Sequence, residues 1–568
     1  MTLLMLFGSL RNRSTVAWGL ICGLVQLLAL LSPIALPKAA GPPVPIPTLE
    51  PTPTQSPGTM PEIAVPSGPV PLAPSSGRFV LAAVSIEGST VFTEEQLEQT
   101  YREYLGHRID LDTVREIVRR ISAKYREAGL FLSHAIAPPQ SLSSGVLQVH
   151  VIEGYVERVT IRGAPRTQEQ ALRTYMAKLD GERPLRLTTL ERSILIAKDL
   201  PGIAISPSIA PLDEAAGRYE LVLIVEPRPL SGYVASDNRG PRYLGPWEAE
   251  ASGAITSLVV PFDQLSTYLL TVPNVPRELL AGGIVYDAPI GSDGLRGSLA
   301  IARSSIHPGD YLAGLDLSGV TNNYVSRLSY PLLRARTQSI WVGGMFNVVE
   351  SREDEPQLPI FRDHLRIIRA DATYFISDGW GGSNKVFAQL SQGLHVLGAS
   401  SLASANLSTP NGHAAFTKVA GSVTREQPII GGFGIFFDLA GQKAGQPLLL
   451  SEQFSLGGSR YGRGYDPAQV VGDDALAGLV ELRYDHGLGD GFLHSFQVYA
   501  FYDVGTVWNI SANNPQRSAS LASAGGGVRF ALAERFSLSL ELAKPLTRPL
   551  VPDRDKPVRV FARLSKEF

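Results

Sequence analysis

Between residue 228 and the C-terminus, apolar and polar positions alternate with period two, in runs of roughly eight to twelve residues broken by turn residues. Phe536, Leu538, Leu540 and Leu542 fall on one side of such a run, and Ser537, Ser539, Glu541 and Ala543 on the other. Ile368, Ala370, Ala372, Tyr374 and Ile376 oppose Arg369, Asp371, Thr373 and Phe375. Val480, Leu482 and Tyr484 oppose Glu481, Arg483 and Asp485. A soluble β-sandwich also alternates, but it does not gather so many charges on one strand face while the other stays this apolar. Apolar-out, charged-in strands are what a membrane barrel with a wet interior requires. Sixteen runs can be counted, beginning near Gly232, Trp247, Ser266, Ala281, Gly297, Ser318, Ser339, His364, Asn384, Ala415, Ile430, Ala475, Ser495, Ala522, Arg535 and Val558. An even number suits a single-chain bacterial barrel. The predicted fold class is an all-β transmembrane barrel of sixteen antiparallel strands over residues 228–568, preceded by two small α+β modules.

Those modules follow a different period. In the first, residues 78–154, Val80, Ala82, Val84 and Ile86 predict one strand ended by Gly88, and a helix from about Thr93 carries Leu97, Tyr101 and Leu105. Val114, Ile117, Val118, Ile121 and Tyr125 repeat at helical spacing, with Thr113 and Glu116 as a capping box and Gly129 as the stop. Strands follow over 131–137 and 146–153. The second module, residues 155–227, has a strand over 155–162, a helix over 169–178, a helix opened by Thr188 and Glu191, and strands over 203–210 and 219–226. Two β-α-α-β-β units of roughly 75 residues make an internal repeat.

Ahead of them, Arg11 and Arg13, the apolar stretch from Val16 to Leu31 and the breaker Pro33 predict a signal peptide over 1–40. An uncleaved N-terminal anchor is the alternative. Residues 41–77 are proline-rich, an extended spacer without helical periodicity. Cys22 is the single cysteine and lies in the leader, so the mature chain needs no disulfide.

Composition narrows the function classes. Only 18% of residues are charged, without a long apolar run in the body of the chain, as barrel alternation demands. A net charge of -2 argues against a nucleic-acid partner. The nine histidines are scattered, with no HExxH and no cysteine pair, and Ser459 lacks the second glycine of a nucleophile elbow. No catalytic, cofactor-binding or metal site is expected, and no enzymatic activity.

The chemistry instead concentrates in FSLGGSRYGRGYDP, from Phe454 to Pro467. If the first strand leaves the modules, every odd-to-even connection lies on the far side, which makes this stretch part of the sixth far-side loop. That loop, 441–474, is much longer than a hairpin needs. Asp503 shares strand parity with Tyr499, Phe501 and Gly505 and faces the lumen. A guanidinium fork can clamp a carboxylate with two hydrogen bonds and never loses its charge, so Arg463 is expected to pair with Asp503. The alternative is a solvated loop arginine that contributes little.

FVLAAVSIEG, KYREAGLFLSHAIAPPQSLSSGVLQVHVIEG and LERSILIAKDLPGI resemble the paired POTRA (polypeptide-transport-associated) domains of two-partner secretion transporters, the ShlB/FhaC/HecB-like haemolysin secretion/activation proteins. Asp237-Asn238-Arg239-Gly240 at the barrel entry fits the same family, and the likeness runs from about 78 to 568. It implies that Arg463, Gly464 and Tyr465 form the tip of a loop folded back into the barrel, with Phe501, Asp503 and Gly505 as the lumenal partner motif. Gly462 departs from the branched apolar residue usual before that arginine. The last strand, ending on Phe568, resembles the signal read by the barrel-assembly machinery. The implied function is export of a secreted exoprotein client, captured by the POTRA domains in the periplasm and passed through the pore without nucleotide hydrolysis. The transporter would be a monomer in outer-membrane lipid. An outer-membrane insertion and assembly factor of the same superfamily is the alternative; a barrel enzyme or passive porin would need no pair of binding modules. Relatives often carry a plug helix ahead of the spacer, and none is expected here. Asp237 and Arg239 read as structural, with a part in gating as the minority reading.

Overall fold

The computed structural model describes residues 78–568 apart from 357, 512, 513, 515 and 551–554. The expected signal peptide, spacer, Cys22 and missing plug helix lie outside the described residues. The first module is built on the helix Leu111–Glu127, which buries Val114, Ile117, Val118, Ile121 and Tyr125 against the sheet. Its cap is Asp110, not the expected Thr113–Glu116 box. Asp110 is extended and accepts the Thr113 N–H at 3.0 Å, so Thr113 is already inside the first turn. Glu116 points outward to Arg119 and Arg120, whose hydrogen bonds hold its carboxyl down at about 2. The box forms instead at the preceding helix, between Thr93 and Gln96. That helix is shorter than its periodicity suggests: Glu94–Glu98 gives way to a 3₁₀ turn, Arg102–Tyr104.

The expected single strand of Val80 to Ile86 is two. Phe79–Val80 pairs with Arg108–Ile109, and Ala83–Glu87 runs parallel to Val146–Ile152. The change of partner falls between Leu81, whose N–H goes to the His107 carbonyl, and Ala82, whose N–H goes to that of Gly145. The three-stranded sheet has Val146–Ile152 in its centre and His134–Ile136 on its other edge.

The second module repeats this order, with Arg218–Pro227 central between Tyr155–Arg162 and Ile203–Asp213. Its helices are Arg166–Met176 and Leu187–Lys198. No side chain caps the latter, against the expected opening by Thr188 and Glu191. Its N-cap is Arg186, so Thr188 already lies inside the first turn, and Glu191 pairs with Arg336 of the barrel at 2.8 Å. The module is locked to the barrel's near-side turns. Phe262 of the first such turn is fully buried in the module's core, edge-on to Tyr175 at 6.4 Å. Asp263 makes that turn rigid by accepting the N–H groups of Leu258, Val259 and Val260. Asp199 receives a two-pronged bond from the buried Arg334, at 2.8 and 2.9 Å.

Sixteen antiparallel strands, from Leu230–Asp237 to Arg559–Glu567, close into a barrel. Leu299, Ile301, Ile368, Val480, Leu482, Leu540 and Val560 are exposed outward, whereas Asp371, Glu481, Asp503 and Glu541 are buried toward the lumen, as the alternation demands. The strand start that differs most is the eighth, Leu358–Ser377, 20 residues, not a run from His364; the fourteenth, Ser518–Leu532, also begins ahead of the expected Ala522. The eighth and its neighbour Gln338–Glu355, 18 residues, far exceed the roughly 9–11 residues that span a bilayer. Their outer halves carry ion pairs such as Arg362–Asp354 and Arg366–Glu350 in place of a lipid-facing pattern. The first and last strands meet over a short ladder, from Arg563↔Asp237 to Glu567↔Tyr233.

Candidate functional site

Between the eleventh strand, Phe433–Ala444, and the twelfth, Asp474–Gly487, the sixth far-side loop enters the barrel instead of leaving it. Its two limbs pair as a small hairpin, Phe454–Leu456 with Val470–Gly472. Tyr461 and Tyr465 are buried beyond it, in one cluster with Leu456, Tyr499, Phe501 and Leu521 of loop and wall. Gly462 has φ +81°, a conformation that a branched residue adopts only under strain. That turn points two successive N–H groups at one carboxylate. Gly462 donates to Asp503 Oδ1 at 2.7 Å and Arg463 to Oδ2 at 3.2 Å, with the Ser523 hydroxyl at 2.8 Å from both oxygens. The departure at Gly462 is thus part of how the tip is held.

The expected side-chain fork from Arg463 to Asp503 is replaced by this backbone contact. With its main chain already against Asp503, the arginine's long side chain reaches past it along the wall. It donates to Glu481 at 2.8 Å and Glu541 at 3.3 Å, with the guanidinium 4.5 Å over the Phe501 ring. Each residue of the partner motif has its own task. Phe501 seats the guanidinium, Asp503 holds the backbone, and Gly505 leaves room for Leu456, since a Cβ there would lie 2.7 Å from the leucine side chain. Gly464 is needed for close approach, because a Cβ would meet the Pro545 nitrogen at 2.7 Å. The Tyr465 hydroxyl accepts the N–H groups of Thr547 and Arg548 in the eighth far-side loop.

Several anchors escape a motif-based reading. Arg460 forks onto Asp438 of the eleventh strand at 2.7 and 3.0 Å, and the Tyr461 hydroxyl adds a third bond at 2.9 Å. Glu452, on the descending limb, is buried between Arg369 at 2.7 Å and Lys418 at 2.8 Å. Asp466 pairs with Arg559 at 2.7 Å. The available signal was parity: Asp438, like Asp503, is a carboxylate on the lumenal face of an otherwise apolar strand. The fifth far-side loop packs on the root of the sixth, where Leu448 and Leu449 are fully buried with Phe416, Leu365 and Ile367. The site is therefore a plug of loop held by opposite charges on several sides of the lumen. Among the described residues, no group of three His, Cys, Asp or Glu is arranged to hold a metal.

Comparison with known proteins agrees with this architecture. Residues 79–154 match the ShlB-type POTRA domain, and residues 222–530 match the haemolysin secretion/activation protein family ShlB/FhaC/HecB. The chain is 23% identical over 488 residues to the heme/hemopexin transporter protein HuxB of Haemophilus influenzae strain 86-028NP, covering 83% of this chain and 84% of the relative. It is 23% identical over 490 residues to the outer membrane transporter CdiB of Dickeya dadantii, covering 84% of each. In fold it is similar to the solved CdiB from Escherichia coli, with a TM-score of 0.71 at 18% identity over 87% of this chain and 91% of that one. The CdiB structure from Acinetobacter baumannii gives 0.61 at 16% identity, over 99% and 100%. With more than half of its length matched by the family model, the chain belongs to the ShlB/FhaC/HecB family of haemolysin secretion/activation proteins.

Proposed function

We propose that this protein is the outer-membrane transporter of a two-partner secretion pair, exporting one large exoprotein from the periplasm to the cell surface. The observation that carries the reading is a sixteen-stranded barrel with its sixth far-side loop packed against the inner wall and two small α+β modules ahead of its first strand. Arg463, Gly464 and Tyr465 form the tip that closes the pore, and Phe501, Asp503 and Gly505 form its seat. The two modules lie in the periplasm and capture the client, whose extended chain adds a strand to a sheet edge. The seat is polar and made of several separable bonds, so the loop can yield to a threading chain and return without nucleotide hydrolysis. The barrel acts as a monomer in lipid, delivered there through a last strand ending on Phe568.

The test is co-expression with the large secreted protein encoded beside it, scoring that protein outside the cell. The deletion to use removes residues 78–154 only, because removing the second module would strip the cover from Phe262 and Arg334. Export should be lost. Export at the full level without the first module would sink the capture step, and absence of export with the intact chain would sink the transporter reading.

A further inference from the structure

The loop and its seat use the inner wall of the barrel. On the outer wall, far-side charge gathers on four neighbouring strands, from the fifth, Leu295–Ile306, to the eighth. On the fifth, the exposed lipid-facing Leu299 and Ile301 are followed at the next outward position by Arg303, also exposed. Register carries that position around the wall: Arg303 lies opposite Asn322, Asn322 opposite Glu350, and Glu350 opposite His364. The next outward row sets Arg352 opposite Arg362. Most of these charges are satisfied within the wall. Glu350 takes Arg366 at 2.5 Å and also His364, and Asp354 takes Arg362. Two cations are left over. Arg303 has only the amide oxygen of Asn322, at 3.2 Å, and the exposed Arg352 has no carboxylate partner among the described residues.

Unpaired cations at the rim of a lipid-facing wall favour anions of the head-group layer. A guanidinium binds a phosphate with two parallel hydrogen bonds, and its long stem lets the charge rise clear of the hydrocarbon. Spacing then selects among anions. Arg303 and Arg352 are two strands and two residues apart in the register. That is about 10 Å across the sheet and about 7 Å along it. The single phosphate of an ordinary phospholipid engages one of them, whereas phosphates on two linked sugars reach both. The seventh and eighth strands, of 18 and 20 residues, also rise past the bilayer into the layer that the sugars of a glycolipid fill. Leu397 of the fifth loop, whose carbonyl accepts Arg366 Nε at 3.1 Å, is exposed beside them and offers an apolar contact next to the charge.

We infer that Arg303 and Arg352 form a docking site on the outer wall for a glycolipid of the outer leaflet that carries phosphates on two of its sugars. Placing this face in the outer leaflet rests on the proposed function. The site acts on the lipid around the barrel and needs no client in the pore.

The test is native mass spectrometry of the purified full chain in detergent, titrated separately with lipid A bearing two phosphates, lipid A bearing one, and phosphatidylglycerol. The two-phosphate form is expected to be retained about tenfold better than either of the others. Arg303→Gln/Arg352→Gln should lower its retention to the level of the one-phosphate form. Lys544→Gln, which removes an exposed outward cation of the fifteenth strand, should leave it unchanged. Heat-modifiable migration on gels confirms that each variant is folded, and the comparison of lipids on the unaltered chain stands without any variant. Indifference to the second phosphate, or phosphatidylglycerol held equally well, would overturn the glycolipid site. Equal losses in Lys544→Gln and the double variant, or none in the double variant, would overturn its assignment to Arg303 and Arg352. No client is present, so failure here is distinct from failure of export, which is scored in cells.

Discussion

Asp503 accepts two backbone N–H groups and a hydroxyl, all fully buried. Asp503→Ala would leave those donors unpaired, at about 1–3 kcal/mol for each group that finds no water. The expected outcome is a loop that becomes sensitive to protease while the barrel stays folded, seen as unchanged heat-modifiable migration on gels. Gly462→Val places a branched residue at φ +81°, costing about 1–3 kcal/mol of backbone strain. It should release the loop tip, as Asp503→Ala does; a wild-type cleavage rate in Gly462→Val would show that the turn at 462 is not required. The pairing of Arg463 with this strand was foreseeable from lumenal parity, but the choice of atom was not. Parity says which face a residue takes, and only the path of the loop decides whether main chain or side chain arrives first. For Arg460, parity places Asp438 on the lumenal face of the eleventh strand, but nothing local in the sequence joins the two.

Whole elements behaved more simply. Strands could be counted because lipid outside and water inside impose opposite chemistry on successive residues, a constraint that covers every turn of the barrel wall. The eighth strand failed that reading where it rises beyond the bilayer and the constraint ends. Helix caps failed because Ser, Thr and Asp near a start compete for the same N–H groups, and Asp110 precedes Thr113 on the chain. At the docked second module, Asp199→Ala would leave Arg334 buried without its carboxylate, at about 3–5 kcal/mol. Phe262→Ala would open the module's core, at a similar cost of about 3–5 kcal/mol. Both should free the module to move, raising its hydrogen exchange while the barrel strands keep theirs; an unchanged module would show that the docking contributes little. In the first module, Glu116 has its folded pKa depressed to about 2 by Arg119 and Arg120. Its contribution is present above the unfolded carboxylate range and lost as pH falls through about 2. Glu116→Gln should therefore lower the module's thermal stability slightly at pH 7 and leave it unchanged below pH 2.

For the whole molecule, the proposed function makes the barrel a pore kept shut by its own loop. The loop is held to different parts of the wall by ionic and backbone bonds from Glu452, Arg460, Gly462, Arg463 and Asp466. A single substitution can expose the tip to protease, but the remaining anchors keep the rest of the loop in the lumen. The most direct measurement is the conductance of the purified full chain in planar lipid bilayers, comparing the intact chain with the double variant Arg460→Ala/Arg463→Ala. If the loop shuts the pore, the intact chain is mostly closed and the variant shows long-lived, large open levels. A variant that stays as tightly closed as the intact chain would contradict it.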